Sequence, residues 1–321
     1  MKSLKLVFMG TPAFALPSLD LLDCSPHTIA ALVVPPDRPV GRGRKVRLAP
    51  TREWALRHSV LTAQPDKINE NIFIDWLEEI NPDLIVTVAF GRLLPQAVLQ
   101  LPALGCINLH ASYLPAYRGS APIHRAVIDG APYSGVTIMH MTPELDAGDM
   151  IMQEKEPISN LDTAGMLHDR LAGRGAALLL KAIDALARGN AARVPQDHRL
   201  ATYAPPLTAA DERLDWNLGA AELYNRIRGL NPWPGAYTIC GDRRIKVWKA
   251  APPAIAARSS EIAVSHKPGT ILAVGEASLT IATGDGTLTL LDLQPAGKKV
   301  MDAGSFCCGY RIEPGSCLDG V

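Results

Sequence analysis

No stretch of the 321 residues is long and apolar enough to cross a membrane, and the opening MKSLKLVFMG offers only a short apolar run before Gly-Thr-Pro, too short for a secretory leader. Charge of neither sign prevails: 32 Lys and Arg stand against 32 Asp and Glu, so affinity for a polyanion must come from a local cluster. Six cysteines (Cys24, Cys106, Cys240, Cys307, Cys308 and Cys317) form no C-x-x-C pair and no His/Cys ligand spacing, so they read as reduced thiols of a cytoplasmic protein without a zinc site. The turn Gly10-Thr11-Pro12 lacks the glycines of a G-x-G-x-x-G fingerprint, which excludes a dinucleotide site there. No internal repeat is evident.

What is present reads as two domains, the expectation for a chain of this length at about 150 residues per domain. Apolar or β-branched runs at 4–10, 28–34, 83–90, 105–112, 135–141 and 150–158 are expected strands, and 13–23, 121–129 and 163–187 expected helices. The last helix keeps Met166, Leu167, Leu171, Leu178, Leu179, Ala182, Ile183 and Leu186 at helical spacing. This alternation predicts an α/β fold, a Rossmann-like mostly parallel sheet over residues 1–187, with ligands beyond the carboxyl ends of the strands. Residues 188–207 lose periodicity and read as a linker. Over 208–321 a short helix (218–228) precedes AYTIC, RRIKVWK, GTILAV, SLTIAT and LTLLDLQ, short runs split by Gly turns as in a small barrel or sandwich.

Three clusters could carry chemistry. In INLHASYLPAYRGSAPI (107–123), Asn108 and His110 lie two apart on a strand and project from one face. An amide can donate to a developing oxyanion and an imidazole can move a proton, so the pair suits addition to a carbonyl; equally, Asn-x-His can be a strand end with satisfied polar groups. TPELDAGDMI (142–151) sets Asp146 and Asp149 around Ala147-Gly148, either an ordinary Asx turn or a carboxylate that orients an imidazole. VVPPDRPVGRGRKVRLAPTRE (33–53) concentrates Arg38, Arg42, Arg44, Lys45, Arg47 and Arg52 against Asp37 and Glu53. That stretch reads as a solvated basic loop or as an arm that contacts phosphates.

Taken in order, Asn-x-His, Ser-x-Leu-Pro-x-x-Arg-Gly and Leu-Asp-x-Gly-Asp resemble the signature of the folate-dependent formyltransferases. FMGTPAFALPSL (8–19) is similar to their opening strand, turn and helix. PPDRPVGRGRK resembles the inserted loop of the methionyl-tRNA formyltransferase family, absent from the similar glycinamide ribonucleotide formyltransferases. DWNLGAAELYNRIRGLNPWPGAYT (215–238) resembles its C-terminal OB-like β-barrel domain, a tRNA-binding domain. The resemblance implies formyl transfer from 10-formyltetrahydrofolate to the α-amino group of initiator methionyl-tRNA, with no metal. It makes Asn108, His110 and Asp146 the catalytic residues. Phe90, Gly91, Leu93, Ser112, Tyr113, Leu114 and Pro115 would contact folate, and Arg38, Arg42, Arg44 and Lys45 the tRNA, Arg42 foremost. Departures are Tyr113 where Leu is frequent, Ser120 where Ala or Gly is common, and Phe90 where Tyr is common, which removes a hydroxyl. Alternatives are a formyltransferase acting on an amino sugar nucleotide and a non-catalytic tRNA-binding protein. A monomer is the default expectation.

Overall fold

The computed structural model describes residues 2–37, 39, 40, 45–253 and 266–318. Two compact units divide the chain. Unit 1 holds 1–122, 134–157 and 168–205, and unit 2 holds 123–133, 158–167 and 206–321.

Unit 1 is built on β1 (Lys5–Gly10), β2 (Thr28–Val33), β5 (Thr62–Ala63), β6 (Leu84–Val88), β7 (Cys106–His110), β8 (Tyr133–His140) and β9 (Met150–Pro157), in the order β5-β2-β1-β6-β7-β8-β9. The β2–β5, β1–β2, β1–β6 and β6–β7 pairs are parallel, and β8 joins β7 antiparallel. This is the mixed, mostly parallel sheet expected of the alternating pattern. Strand order reverses between β1 and β6, so the crevice at the carboxyl ends opens between these two strands, with the end of β7 next along the sheet. Strands β1 and β6 are buried almost throughout, as apolar runs in a covered parallel sheet must be. Strand β6 stops short of the expected 83–90 because Ala89 (φ +49°) and Gly91 (φ +75°) take left-handed backbone and turn the chain at the sheet's carboxyl edge.

Helices α1 (Leu16–Asp23), α2 (Pro50–Arg57), α3 (Asn71–Ile80) and α4 (Gln96–Gln100) connect these strands. Next come α5 (Pro122–Ile128), assigned to unit 2 from residue 123 onward, and α6 (Ala164–Ala187). Of the apolar positions expected to face the core from α6, all are buried except Met166, which is 52% exposed. The helix lies against β7 at Gly175, where an added Cβ would sit 2.8 Å from the Leu109 side chain. Leu109 therefore points at α6, and Asn108 and His110, one residue either side, project the other way.

In the basic loop, β3 (Pro39–Val40) and β4 (Lys45–Val46) pair antiparallel. Arg38, Arg42 and Arg44 lie outside the described residues, and only the backbone of Lys45 is described.

Unit 2 contains α7 (Ala209–Glu212), α8 (Ala220–Gly229), β10 (Ala236–Cys240), β11 (Arg243–Ala250), β12 (Ile271–Val274), β13 (Leu279–Ala282), β14 (Thr287–Pro295), β15 (Met301–Asp302) and α9 (Ala303–Tyr310). The strands form an antiparallel sheet ordered β10-β11-β14-β13-β12, with β15 on β14. Leu223 and Ile227 of α8, Ile245 and Val247 of β11, Leu290 of β14 and Phe306 of α9 meet in one apolar core. All five β runs expected after residue 235 are strands; β15 and α9 are additions.

Candidate active site

Strand β7 fixes two of the three expected reacting groups. Asn108 pairs with Thr87 of β6 and Met139 of β8, and the buried Thr87 hydroxyl donates to Asn108 Oδ1 at 2.7 Å. With its oxygen engaged, the amide presents Nδ2, a donor only, to the crevice. Thr87 is a contributor that sequence reading missed.

His110 is 6% exposed at the end of β7. Its Nε2 lies 2.9 Å from the carbonyl oxygen of Tyr117. A carbonyl only accepts, so Nε2 carries a proton and Nδ1 is the position that can exchange one. Nδ1 faces Asp146 Oδ2 at 3.6 Å, in ion-pair range but longer than a hydrogen bond. Catalytic contacts of this kind often tighten only when substrate arrives.

Asp146 comes from the turn between β8 and β9 and holds left-handed backbone at φ +50°. Its Oδ2 accepts from the backbone N–H of Gly119 at 2.8 Å, so the Arg-Gly of the second motif block clasps the carboxylate of the third. Gly148 lets the turn close, because a Cβ there would collide with the His140 carbonyl. Gly119 (φ +114°) is likewise crossed closely, with a Cβ falling 2.7 Å from the Ala204 carbonyl oxygen. The structure thus brings His110 and Asp146 together from segments far apart in sequence.

The expected folate residues divide by exposure. Ser112 and Leu114 are buried, with the Ser112 hydroxyl donating to Ala116 O at 2.6 Å. The Thr137 hydroxyl donates to Ser112 O at 2.8 Å, and Gln153 Nε2 donates to Leu114 O at 2.8 Å, so this turn is braced from β8 and β9. Phe90 packs into the core beside Val98, while Gly91 and Leu93 are exposed at the sheet's edge. Tyr113 and Pro115 are half-buried, and the Lys155 ammonium stands 4.9 Å above the Tyr113 ring.

Cys106 on β7 is no alternative nucleophile, since burial pushes its thiol up to about 12. Among the described residues no three His, Cys, Asp or Glu side chains are grouped to hold a metal ion. No described helix is long and apolar enough to cross a membrane.

An amide and an imidazole on one strand and a carboxylate clasped opposite them thus meet at the carboxyl edge of the sheet, and the chain as a whole is that of a formyl transferase. The family model described as Formyl transferase matches residues 4–183, and the one described as Formyl transferase, C-terminal domain, matches 206–311. The methionyl-tRNA formyltransferase of Moorella thermoacetica is 46% identical over 318 residues, covering 99% of this chain and 100% of its own. That of Bacillus subtilis is 43% identical over 315 residues, covering 98% and 97%. The chain belongs to the methionyl-tRNA formyltransferase family. More distant structures share the fold: HypX from Aquifex aeolicus in complex with tetrahydrofolic acid (TM-score 0.65, 16% identity, 98% of this chain and 48% of that one) and the sugar 3N-formyl transferase WlaRD (TM-score 0.65, 17% identity, 93% and 100%).

Proposed function

We propose that the chain transfers the formyl group of 10-formyltetrahydrofolate to the α-amino group of methionyl-initiator-tRNA, in the cytoplasm and as a monomer. The observation that carries the reading is the meeting of His110 and Asp146 at 3.6 Å, beside an Asn108 amide whose oxygen is already taken.

The chemistry these groups support is economical. A free α-amino group has a pKa of ~7.7–8.0, so a useful fraction is nucleophilic near neutral pH. The amine nitrogen adds to the formyl carbon, and the tetrahedral species then expels the carrier nitrogen; over the reaction the amine loses one proton and the carrier nitrogen gains one. Negative charge develops on the formyl oxygen, and the Asn108 Nδ2 donor and a proton on His110 Nδ1 stabilise it. Asp146 orients the ring and takes the ammonium proton; its Oδ1, which accepts no hydrogen bond from the described residues, is the oxygen placed to do so. Holding the amine against the carbonyl supplies the remaining acceleration, without a metal or a covalent enzyme intermediate.

Exposed Gly91 and Leu93 beside buried Phe90 support a rim for a flat heterocycle at the end of β6, and the braced Ser112–Pro115 turn a second wall. In this reading residues 1–187 perform the chemistry. The basic loop, with Arg38, Arg42, Arg44 and Lys45, follows β2 in sequence and contacts the tRNA; residues 208–321, joined through 188–207, add to that contact. The test is incubation with 10-formyltetrahydrofolate and charged initiator tRNA. Formylmethionyl-tRNA should form with the native chain and not with an Asn108→Ala, His110→Ala double variant. Transfer to a 4-amino-sugar nucleotide instead, or full turnover by the double variant, would overturn it.

A further inference from the structure

Residues 188–207 hold a side chain that reaches the reaction site. Gln196 is 5% exposed, and its amide is fully engaged. Nε2 donates to the carbonyl oxygens of Asp146 at 2.9 Å and Gly148 at 2.8 Å, and Oε1 accepts from Arg118 Nη2 at 2.7 Å and Nε at 3.2 Å. Arg118 is itself buried, with His198 Nδ1 3.4 Å from its Nη atoms. The backbone on either side of Gln196 is tied to the same two loops. Val194 exchanges both backbone hydrogen bonds with Met150, just beyond the Asp146 turn. Thr202 O and Ala204 N bond the backbone N–H and carbonyl of Arg118.

We propose that Gln196 is a positioning residue for formyl transfer, clamping the backbone of the Asp146 turn to the buried Arg118 so that the Asp146 carboxylate stays against His110. The proposal rests on the reading of Asn108, His110 and Asp146 as the reacting groups. Asp146 holds a left-handed conformation, which Asp takes more readily than most residues and which the hydrogen bonds around it hold in place. Gly119 secures the carboxylate from one side, and Gln196 secures the backbone of the same residue from the other. Both clasps end on the Arg118-Gly119 dipeptide, so turn and loop move together or not at all.

Residue chemistry narrows what can stand at this position. A glutamate would turn an oxygen toward two carbonyl oxygens, and asparagine is one methylene short. Methionine would fill the space while leaving two carbonyls without this donor and a buried guanidinium without its closest acceptor.

The test uses the full chain with 15N-labelled histidine. At fixed pH, Gln196→Met should displace the His110 ring nitrogen signals in the direction that Asp146→Asn displaces them. Its kcat should fall on the order of 10²-fold with KM for folate and tRNA nearly unchanged, the cost of about 1 Å of misplacement at a reacting group. In an Asp146→Asn background, Gln196→Met should cost less than about 2-fold more, because its effect acts through the carboxylate. Gln196→Asn, which keeps a shorter amide, should fall between native and Met, and serves if the Met variant does not fold. Native His110 signals with native kcat, or losses that multiply in the Asp146→Asn background, would overturn the proposal. Full activity of Asp146→Asn alone would instead remove the reading of the reaction site, and the His110 signals would still decide whether Gln196 orients Asp146.

Discussion

The buried polar network around Gln196 in unit 1 and the cation-bearing strand β11 in unit 2 place their polar side chains differently. In unit 1, Thr87, His110, Ser112, Arg118, Thr137 and Gln196 are buried, and each is hydrogen-bonded. In unit 2 Arg228 and Thr238 are also buried and hydrogen-bonded, but β11 carries its cations outside the apolar core. Strand β11 alternates over 244–247: Ile245 and Val247 are buried, while Arg244 and Lys246 lie over the rings of Tyr237 and Trp248, at 3.6 and 5.0 Å. Arg243 similarly covers Tyr310 at 4.8 Å. The first arrangement ties each side chain to named hydrogen-bond partners in a buried setting, which restricts where its atoms can go. The second sets cations over aromatic rings, with Arg244 also paired to Glu212 and Lys246 donating to the Pro234 carbonyl, and presents positive charge at a surface, which suits attraction of a polyanion. Substitutions should therefore be costly and local in unit 1, and modest and graded in unit 2.

The sharpest version of that contrast is Asn108→Ala. Removing one oxyanion donor costs on the order of 10²–10³-fold in kcat. Steady-state formylation assays should show this loss with KM for tRNA unchanged. A loss confined to KM would mean that Asn108 only binds substrate, and the distinction between the units would blur.

Next in size is an Arg244→Ala, Lys246→Ala pair on β11. If these side chains meet phosphates, KM for tRNA should rise several-fold with kcat intact. The slope of log affinity against log salt should shrink by about 0.9 for each phosphate that is no longer neutralised, or about 0.7 where the strand is single. A fall in kcat without a change in salt slope would give unit 2 a role in positioning, contrary to the comparison.

How far these features were legible in sequence follows from how local they are. Asn108 and His110 share a strand, Asp146 sits in a Gly-containing turn, and the alternation of strands with helices is a short-range pattern; all could be read from neighbouring residues. The long helix α6 was legible because its apolar spacing repeats, although Met166 breaks the inference by facing outward. Helix α2, with three buried residues among eight, and α3, with two among ten, drew no expectation. Gln196 was invisible for a different reason. Its partners are backbone carbonyls about 50 residues away, which leave no trace in side-chain pattern, and it lies in a stretch whose lack of periodicity read as a linker. Thr87 looked like one more β-branched strand residue, and only the register of β6 on β7 reveals what its hydroxyl meets.

The smallest expected effect concerns stability, at a carboxylate of unit 2 that a cation grips by both oxygens. Arg125 of α5 donates to both oxygens of Asp211, at 2.6 and 3.1 Å, and Thr208 adds two more bonds. The Arg125 hydrogen bonds above all hold the Asp211 carboxyl at about 2, outweighing the opposing effect of burial. The folded state therefore binds this proton less readily than the unfolded state does. The stabilisation is complete above the ordinary aspartate value of about 4 and disappears as pH falls from there toward 2. After solvent screening the pair should contribute about 1 kcal/mol, so Asp211→Asn should lower Tm at pH 7 by roughly 2–4 °C. Melting curves between pH 7 and 3 should show the native chain and the variant converging toward the acid end. A gap that stays constant with pH would mean that geometry alone, and not charge, makes the contact matter.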